Sequence, residues 1–80
     1  MHVSGHRVVA YPGLEVSFVA GTDRECYFHR GRYYCYHEGE WFYATRLPGQ
    51  WRYIPMKYVP PDLFRVHGHR PPEVEGSGSE

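Results

Sequence analysis

Aliphatic side chains are scarce in this 80-residue chain, which has three leucines, one isoleucine and two methionines. A chain this short buries only about 60% of the surface that it exposes when unfolded, so it often needs a covalent link or a partner. Its hydrophobic residues are largely aromatic, with eight tyrosines, four phenylalanines and two tryptophans. We therefore expect one small domain whose core is built from aromatic and β-branched side chains.

The chain also lacks an excess of charge of either sign, because nine basic side chains balance nine acidic ones. Proteins that bind nucleic acids or anionic membranes normally carry a basic patch, so neither partner is expected. No apolar run approaches the 18 residues typical of a transmembrane helix, and no signal peptide is recognisable in this chain. We predict no transmembrane segment.

Composition divides the chain into three zones. Residues 1–6 are polar and are predicted to form a flexible N-terminus. Residues 7–66 carry the apolar pattern of a single β domain. Residues 67–80, "HGHRPPEVEGSGSE", have no apolar periodicity and are predicted to form a disordered tail or linker.

The apolar pattern inside the domain has the period of two that is typical of β-strands. Short aromatic runs are separated by turns that each contain glycine, at Arg30-Gly31, Glu38-Gly39 and Pro48-Gly49. The only helical candidate is a single turn near "PPDLFRV", where Asp62 could cap. These signals predict an all-β fold, a small antiparallel meander of about six short strands.

The first of these turns predicts a strand register that brings the two cysteines together. With Arg30-Gly31 at its centre, Cys26 lies opposite Cys35 in a non-hydrogen-bonded pair, where Cα atoms are about 4.5 Å apart. A disulfide across the hairpin fits this geometry, and two free thiols in the core are the alternative. A disulfide would close a loop of about ten residues, stabilise the fold by about 2–3 kcal/mol and indicate an oxidising compartment.

The same register sorts the side chains of the aromatic strands into two faces. The disulfide face contains both cysteines and is favoured as the packed interior; its members are Cys26, Phe28, Tyr33, Cys35, Phe42, Ala44, Trp51 and Tyr53. The opposite face, which we name the tyrosine face, has rings with polar tips; its members are Tyr27, His29, Tyr34, Tyr36, Trp41, Tyr43, Thr45, Arg52 and Ile54.

The tyrosine face has two interpretations. It is either a second wall of the core, covered by the first strands and by "KYVPPDLF", or a binding platform that stays open. Tyrosine, tryptophan and arginine dominate protein interaction hot spots, and flat aromatic rings stack on sugars. The candidate binding residues on this face are Tyr27, Tyr34, Tyr36, Trp41, Tyr43 and Arg52.

The aromatic and glycine pattern resembles that of a group of uncharacterised bacterial exported proteins. The elements that carry the resemblance are "YF", "RGRYY", "GEWF", "GQWRYIP" and "VPPDL", between residues 27 and 63, and "YPGLEVSFV" fits the segment upstream. The sequence departs from the pattern in its two cysteines, in Gln50 where proline is common, and in its missing leader. The resemblance implies a secreted or lipid-anchored envelope protein and carries no established activity.

Neither a cofactor nor a catalytic group is predicted. No serine lies in a nucleophile motif, and a disulfide would remove both cysteines as nucleophiles. His67 and His69 form an H-x-H pair that is a weak candidate for a metal site, because a site needs three or four fixed ligands.

The sequence thus favours a non-catalytic binding or structural module of the bacterial cell envelope, in the periplasm or outside the cell. Its expected partner is an envelope glycan or a protein, and self-association through the aromatic strands is a further expectation. The alternative function is binding of a transition metal by histidine.

Overall fold

A computed structural model describes residues 7–72 as one six-stranded antiparallel sheet followed by short helical turns. The strands occur in chain order, each paired with the next, which confirms the predicted all-β meander. They are β1 (Arg7–Ala10), β2 (Val16–Ala20), β3 (Glu25–His29), β4 (Arg32–His37), β5 (Glu40–Ala44) and β6 (Arg52–Ile54); a 3-10 helix (Met56–Tyr58) and α1 (Pro61–Val66) follow. The predicted flexible N-terminus, residues 1–6, lies outside the described residues.

Two of the three predicted hairpin turns form as expected. Arg30 and Gly31 have φ angles of 49° and 84°, and Glu38 and Gly39 have φ angles of 50° and 84°. Two consecutive positive φ values define the tight type I′ turn, whose twist matches that of the flanking strands. Glycine at the second position adopts this conformation without a steric penalty. Each turn therefore fixes the register of the strands it joins.

The register of the first hairpin brings Cys26 opposite Cys35, and the two residues form a disulfide with their Cα atoms 4.0 Å apart. Both sulfur-bearing residues are buried. The prediction of a cross-strand disulfide is confirmed, and the alternative of two free thiols is not.

The third predicted turn is wrong in detail. Pro48-Gly49 lies in a seven-residue loop, residues 45–51, and β6 pairs with β5 two residues away from the predicted register, with Tyr43 opposite Arg52. The loop is longer because it contributes Leu47 and Trp51 to packing against the disulfide. A shift of two residues leaves every side chain on its predicted face.

The main core lies on the tyrosine face, so the expectation that the disulfide face is the interior was wrong. Tyr27 has no exposed surface, and Tyr34, Trp41 and Ile54 are also buried. The covering layer consists of Tyr11 and the segment after β6, with Val59, Leu63 and Val66 buried against the sheet. The physical reason is that a face of an antiparallel sheet becomes buried only where another segment of the chain covers it, and the C-terminal helix covers the tyrosine face.

Helix α1 is the predicted single turn near "PPDLFRV", and it begins after Pro60. Proline is well suited to the first position of a helix, because the missing N–H has no partner there. The helix has no side-chain cap, contrary to the predicted role of Asp62, whose carboxylate instead lies 3.7 Å from Arg65.

The ordered chain continues past residue 66, where we predicted a disordered tail. The Tyr11 hydroxyl donates a hydrogen bond to the carbonyl of His69, and Pro71 is fully buried. Residues 67–72 thus belong to the domain, because these contacts hold them against the sheet. The rest of the predicted tail, residues 73–80, lies outside the described residues.

The disulfide face carries a second, smaller cluster. Val19, Cys26 and Cys35 are buried, and Leu47 and Trp51 from the loop pack on them together with Phe28 and Tyr33. The sheet therefore has apolar packing on both sides, with the helix covering one face and the 45–51 loop covering part of the other.

The first prediction concerns the disulfide. Replacing both cysteines, Cys26→Ala/Cys35→Ala, should lower the free energy of unfolding by about 2–3 kcal/mol, because the unfolded chain regains the entropy that a short loop restricts. Urea unfolding with and without reducing agent measures the difference. The double variant is its own control, since reductant should leave its stability unchanged. Equal stability of the wild-type protein in both conditions would contradict the prediction.

The second prediction concerns the 45–51 loop. A Cβ atom at Gly49 would lie 2.3 Å from the backbone oxygen of Arg46, far inside contact distance. Gly49→Ala should therefore destabilise the fold by about 1–3 kcal/mol, the usual cost of overpacking. Thermal unfolding provides the measurement, and Gln50→Ala, at the exposed neighbouring position, serves as the control. Equal melting temperatures for the two variants would show that the loop is not packed as described.

Candidate functional site

The six candidate binding residues of the tyrosine face have three different fates. Tyr27, Tyr34 and Trp41 are buried beneath the helical segment and are unavailable to a partner. Tyr36 and Tyr43 are partly buried, and Arg52 is exposed. The interpretation of this face as a wall of the core is therefore correct for its centre, and only the end near Tyr43 and Arg52 can contact a ligand.

The burial of Tyr27 depends on a polar network at the end of α1. Its hydroxyl donates a hydrogen bond to the Glu25 carboxylate. The same carboxylate oxygen accepts from the N–H of Gly68 at 3.0 Å and lies 2.5 Å from Nδ1 of His67. A buried hydroxyl without a partner is costly, so this network is what allows a tyrosine to occupy the centre of the core.

The local chain geometry delivers these partners. The backbone N–H of His67 bonds to the carbonyl of Leu63 at 2.9 Å and closes the helix, and Gly68 follows with a φ of 84°. A left-handed residue after the last helical turn is the common way for a helix to end, and glycine adopts it freely. The turn directs the Gly68 N–H toward Glu25.

Electrostatics of the network shift two pKa values. Partial burial by itself would raise the pKa of Glu25, but the hydrogen bonds from Tyr27 and Gly68 and the nearby His67 outweigh it and lower the pKa below its ordinary 4.5. Burial, followed by the Glu25 hydrogen bond and charge, raises the pKa of Tyr27 well above its ordinary 10.0. The network thus holds a carboxylate and a neutral phenol over the whole physiological range.

The same side chains resemble a general acid–base arrangement, but they are committed to one another. The Tyr27 ring is inaccessible, and Glu25 already accepts bonds from three neighbours. The His67 ring packs on Tyr36 and Trp41, with centroid distances of 4.5 and 5.4 Å. These hydrogen bonds attach the C-terminal segment to β3.

A cleft of about 540 Å³ lies beside the network, between the β2–β3 loop and the chain after α1. Its charged side chains have both signs, with Asp23 and Glu25 facing Arg24 and Arg70. Arg70 also lies 5.6 Å from the centre of the Phe18 ring. The mixed charges favour no single class of ligand.

Exposed aromatic surface occurs on the disulfide face, at the edge strand β6. Tyr53 is 57% exposed, and its ring makes an edge contact with Phe42 at 6.1 Å between centroids. Phe42 and Trp51 are partly buried beside it. The strand register places Phe42 directly opposite Cys35, and Trp51 packs on the disulfide cluster, so this aromatic surface adjoins the disulfide. We name Phe42, Trp51 and Tyr53 the edge aromatics.

The other side of β6 borders a groove of about 400 Å³, formed by β5, β6 and the 45–51 loop. The side chains that line it are uncharged or basic; those with polar groups are Tyr43, Thr45, Arg46, Gln50 and Arg52. The guanidinium of Arg32 lies 5.2 Å from the centre of the Tyr43 ring. We name this site the arginine groove.

The histidines do not assemble into a metal site within the described part of the chain. No three histidine, cysteine, aspartate or glutamate side chains of residues 7–72 are grouped closely enough to hold an ion. His67, one of the two weak candidates, has its Nδ1 on Glu25, and the backbone carbonyl of the other, His69, accepts the Tyr11 hydroxyl.

None of the helices described between residues 7 and 72 is long and apolar enough to cross a membrane. Comparison with protein-family models, with curated proteins and with solved structures gave no match for this chain.

Sequence reasoning missed two parts of this picture. Glu25 was not among the candidate residues and His67 was assigned to the tail, so the network that joins them across 42 residues was not expected. Arg32 and Arg46 were not candidates, although Arg52 was. The available signal was the position of the two arginines in the chain. Arg32 follows the Arg30-Gly31 turn and Arg46 follows β5, and the hairpin register brings these positions to the end of the sheet that holds Tyr43.

The third prediction tests the Glu25 network through its pH dependence. Because the folded pKa of Glu25 is lowered, its contribution to stability is complete above the unfolded value of about 4.5 and is lost as pH falls through the lower folded value. Glu25→Gln should therefore be less stable than wild type at neutral pH, with the difference shrinking below about pH 4.5. Urea unfolding from pH 3 to pH 7 measures it.

The control for this prediction is Glu40→Gln, which removes a carboxylate at the exposed start of β5. Its stability curve should run parallel to that of the wild-type protein. A Glu25→Gln curve that also runs parallel to wild type would mean that the carboxylate does not stabilise the fold.

Proposed function

We propose that this chain is a non-catalytic binding module of the bacterial cell envelope that binds a glycan at the edge strand β6. The observation that carries the proposal is the exposure of Tyr53 beside Phe42 and Trp51, on a sheet face whose centre is reinforced by a disulfide. The predicted aromatic binding surface is thereby moved from the centre of the tyrosine face to the edge aromatics.

A glycan suits the edge aromatics for chemical reasons. The faces of sugar rings present C–H groups, which pack favourably against the electron-rich face of an aromatic ring. Tyrosine and tryptophan offer this surface while losing little conformational entropy, and the tyrosine hydroxyl remains available to sugar hydroxyls. The interior rows of this face carry no charge, since Val19, Cys26 and Cys35 occupy its centre.

The edge position of β6 adds further binding groups. Within the described sheet, β6 pairs only with β5, so one side of its backbone has no strand partner. Unpaired N–H and C=O groups of an edge strand bind other chains readily, and they can also bond to sugar hydroxyls. Pro55 follows directly after β6 and shortens this edge, which disfavours pairing with a second sheet.

The envelope location is supported by the disulfide between Cys26 and Cys35. Structural disulfides persist in the periplasm and outside the cell and are rare in the reducing cytosol. A domain of this size with few aliphatic residues also gains most from such a covalent link.

The fourth prediction tests the edge aromatics. Tyr53→Ala should weaken binding to the polysaccharides that the wild-type protein retains by about thirtyfold, since an aromatic hot spot contributes about 2 kcal/mol. Its melting temperature should barely change, because the side chain is 57% exposed. Affinity electrophoresis in gels containing peptidoglycan fragments, or acidic and neutral polysaccharides, measures retention.

The chain offers a closely matched control in Tyr58, which is 64% exposed on the 3-10 helix after β6 and is not one of the edge aromatics. Tyr58→Ala should bind like the wild-type protein. Equal binding by the wild-type protein and both variants, or no retention of the wild-type protein by any glycan, would overturn the proposal.

A further inference from the structure

The arginine groove holds positive charge without matching negative charge. Within residues 7–72, the arginines that form ion pairs are Arg30, with Glu15, and Arg65, with Asp62. No described ion pair involves Arg32, Arg46 or Arg52, and no carboxylate lines the groove. Arg46 and Arg52 line the groove and Arg32 lies beside it on the Tyr43 ring, so the neutral net charge of the whole chain conceals a local excess of positive charge.

The nearest carboxylate along β5 is too distant to neutralise this excess. Glu40 lies three residues from Tyr43 at the opposite end of the strand, which corresponds to about 10 Å at the usual rise of an antiparallel strand. That distance is about one Debye length at physiological ionic strength, so an exposed pair is largely screened. Since no carboxylate lines the groove, a ligand in it meets arginine without an acid in the lining.

The loop holds its arginine in a defined place. The Cα of Gly49 packs so closely on the backbone of Arg46 that there is no room for a Cβ atom, and the Arg46 side-chain stem lies against it. The backbone of Arg52 is fixed by its pairing with Tyr43 in the sheet. Because the backbone that carries both arginines is fixed, binding costs less entropy than it would in a flexible loop.

The chemistry of the groove selects an oxyanion. Guanidinium groups present planar donor pairs that match carboxylate and phosphate oxygens, and they stay charged at every physiological pH. Thr45 and Gln50 add neutral donors and acceptors of the kind that sugar hydroxyls need. The half-buried Tyr43 ring also lines the groove, and the Arg32 guanidinium lies against this ring.

We propose that the arginine groove binds the acidic group of an anionic polysaccharide, a uronate carboxylate or a backbone phosphodiester. This inference rests on the proposed glycan-binding function and names its ligand class. Arg52 and Tyr53 are consecutive on β6 and point to opposite faces of the sheet. A polysaccharide lying across this edge strand places one sugar on the edge aromatics and the next acidic group in the groove.

The fifth prediction compares polymers that differ in charge alone. The wild-type protein should bind polygalacturonate at least about tenfold more tightly than fully methyl-esterified polygalacturonate, because the ester removes the charge-assisted hydrogen bonds. Raising the salt concentration should weaken binding to the acid form. A polymer of glycerol phosphate forms a parallel arm, and the tighter of the two acidic polymers identifies carboxylate or phosphate as the source of the oxyanion.

Matched arginine variants locate the effect. Arg46→Gln/Arg52→Gln should weaken binding to the acidic polymer by about tenfold or more. The control Arg7→Gln/Arg24→Gln removes the same charge from β1 and from the β2–β3 loop, outside the groove, and should change binding less than twofold. Thermal unfolding of both double variants verifies that the fold is retained, which their exposed side chains lead us to expect.

The outcomes separate this inference from the proposed function. Equal binding of the acid and the ester, with loss in Tyr53→Ala, would overturn the anionic ligand and leave the glycan-binding function standing. Equal loss in the two arginine double variants would indicate diffuse charge attraction and overturn the site. Failure to bind either acidic polymer, or tighter Arg46- and Arg52-dependent binding to duplex DNA, would overturn the anionic glycan as its ligand.

Discussion

The hydrogen bond from the Tyr27 hydroxyl to Glu25 is the interaction on which the arrangement of this domain depends. A chain with so few aliphatic residues has to place tyrosine in its core, and a buried hydroxyl is tolerated only where it has a partner. Glu25 satisfies the hydroxyl and simultaneously accepts from Gly68 and contacts His67, so the bond that makes Tyr27 acceptable also attaches the C-terminal segment. Covering of the tyrosine face follows from that attachment.

Once the helix covers the tyrosine face, the outer surface of the sheet is left to the disulfide face and to the ends of the strands. The disulfide and Val19 fill the centre of that face, where a larger domain would place a second layer of helices. The 45–51 loop folds partly over it and, in doing so, creates the arginine groove on the other side of β6. The proposed binding groups are thus located where the sheet has no further chain to cover it.

The parts of this fold that depend on local geometry could be predicted from the sequence. Two-residue turns at Arg30-Gly31 and Glu38-Gly39 set the strand register, and the register alone brings Cys26 opposite Cys35. Which face is buried depends instead on a segment that packs from far along the chain, and Glu25 is separated from its partner His67 by 42 residues. No short-range pattern reports such a pairing.

The longer β5–β6 loop shows the same limit on a smaller scale. Its Pro48-Gly49 pair correctly indicated a break between two strands, but the tight turn predicted there is a longer loop in which Leu47 and Trp51 pack on the disulfide, and turn chemistry does not encode that packing. A register error of two residues keeps every side chain on its predicted face. Tyr43 and its observed partner Arg52 therefore both lie on the tyrosine face, at the end of that face that stays open. The arginine groove could not be predicted because Arg46 belongs to the 45–51 loop, and turn chemistry does not define the path of a loop of that length.

The edge strand β6 combines two properties that suit the proposed glycan-binding surface: backbone groups without a strand partner, and a positive charge. A strand with one partner has free backbone groups, which in a small sheet is a hazard for aggregation unless the edge is short or charged. β6 has only three residues and is followed by Pro55, and Arg52 places a charge on it. The short length, the proline and the charge that protect this edge from another strand leave it open to a flexible polymer of sugars. Arginine attracts an acidic polysaccharide, whereas it repels the same basic edge strand of a second copy of the chain. Arg52 therefore contributes both to protection against self-pairing and to the proposed binding of an anionic ligand.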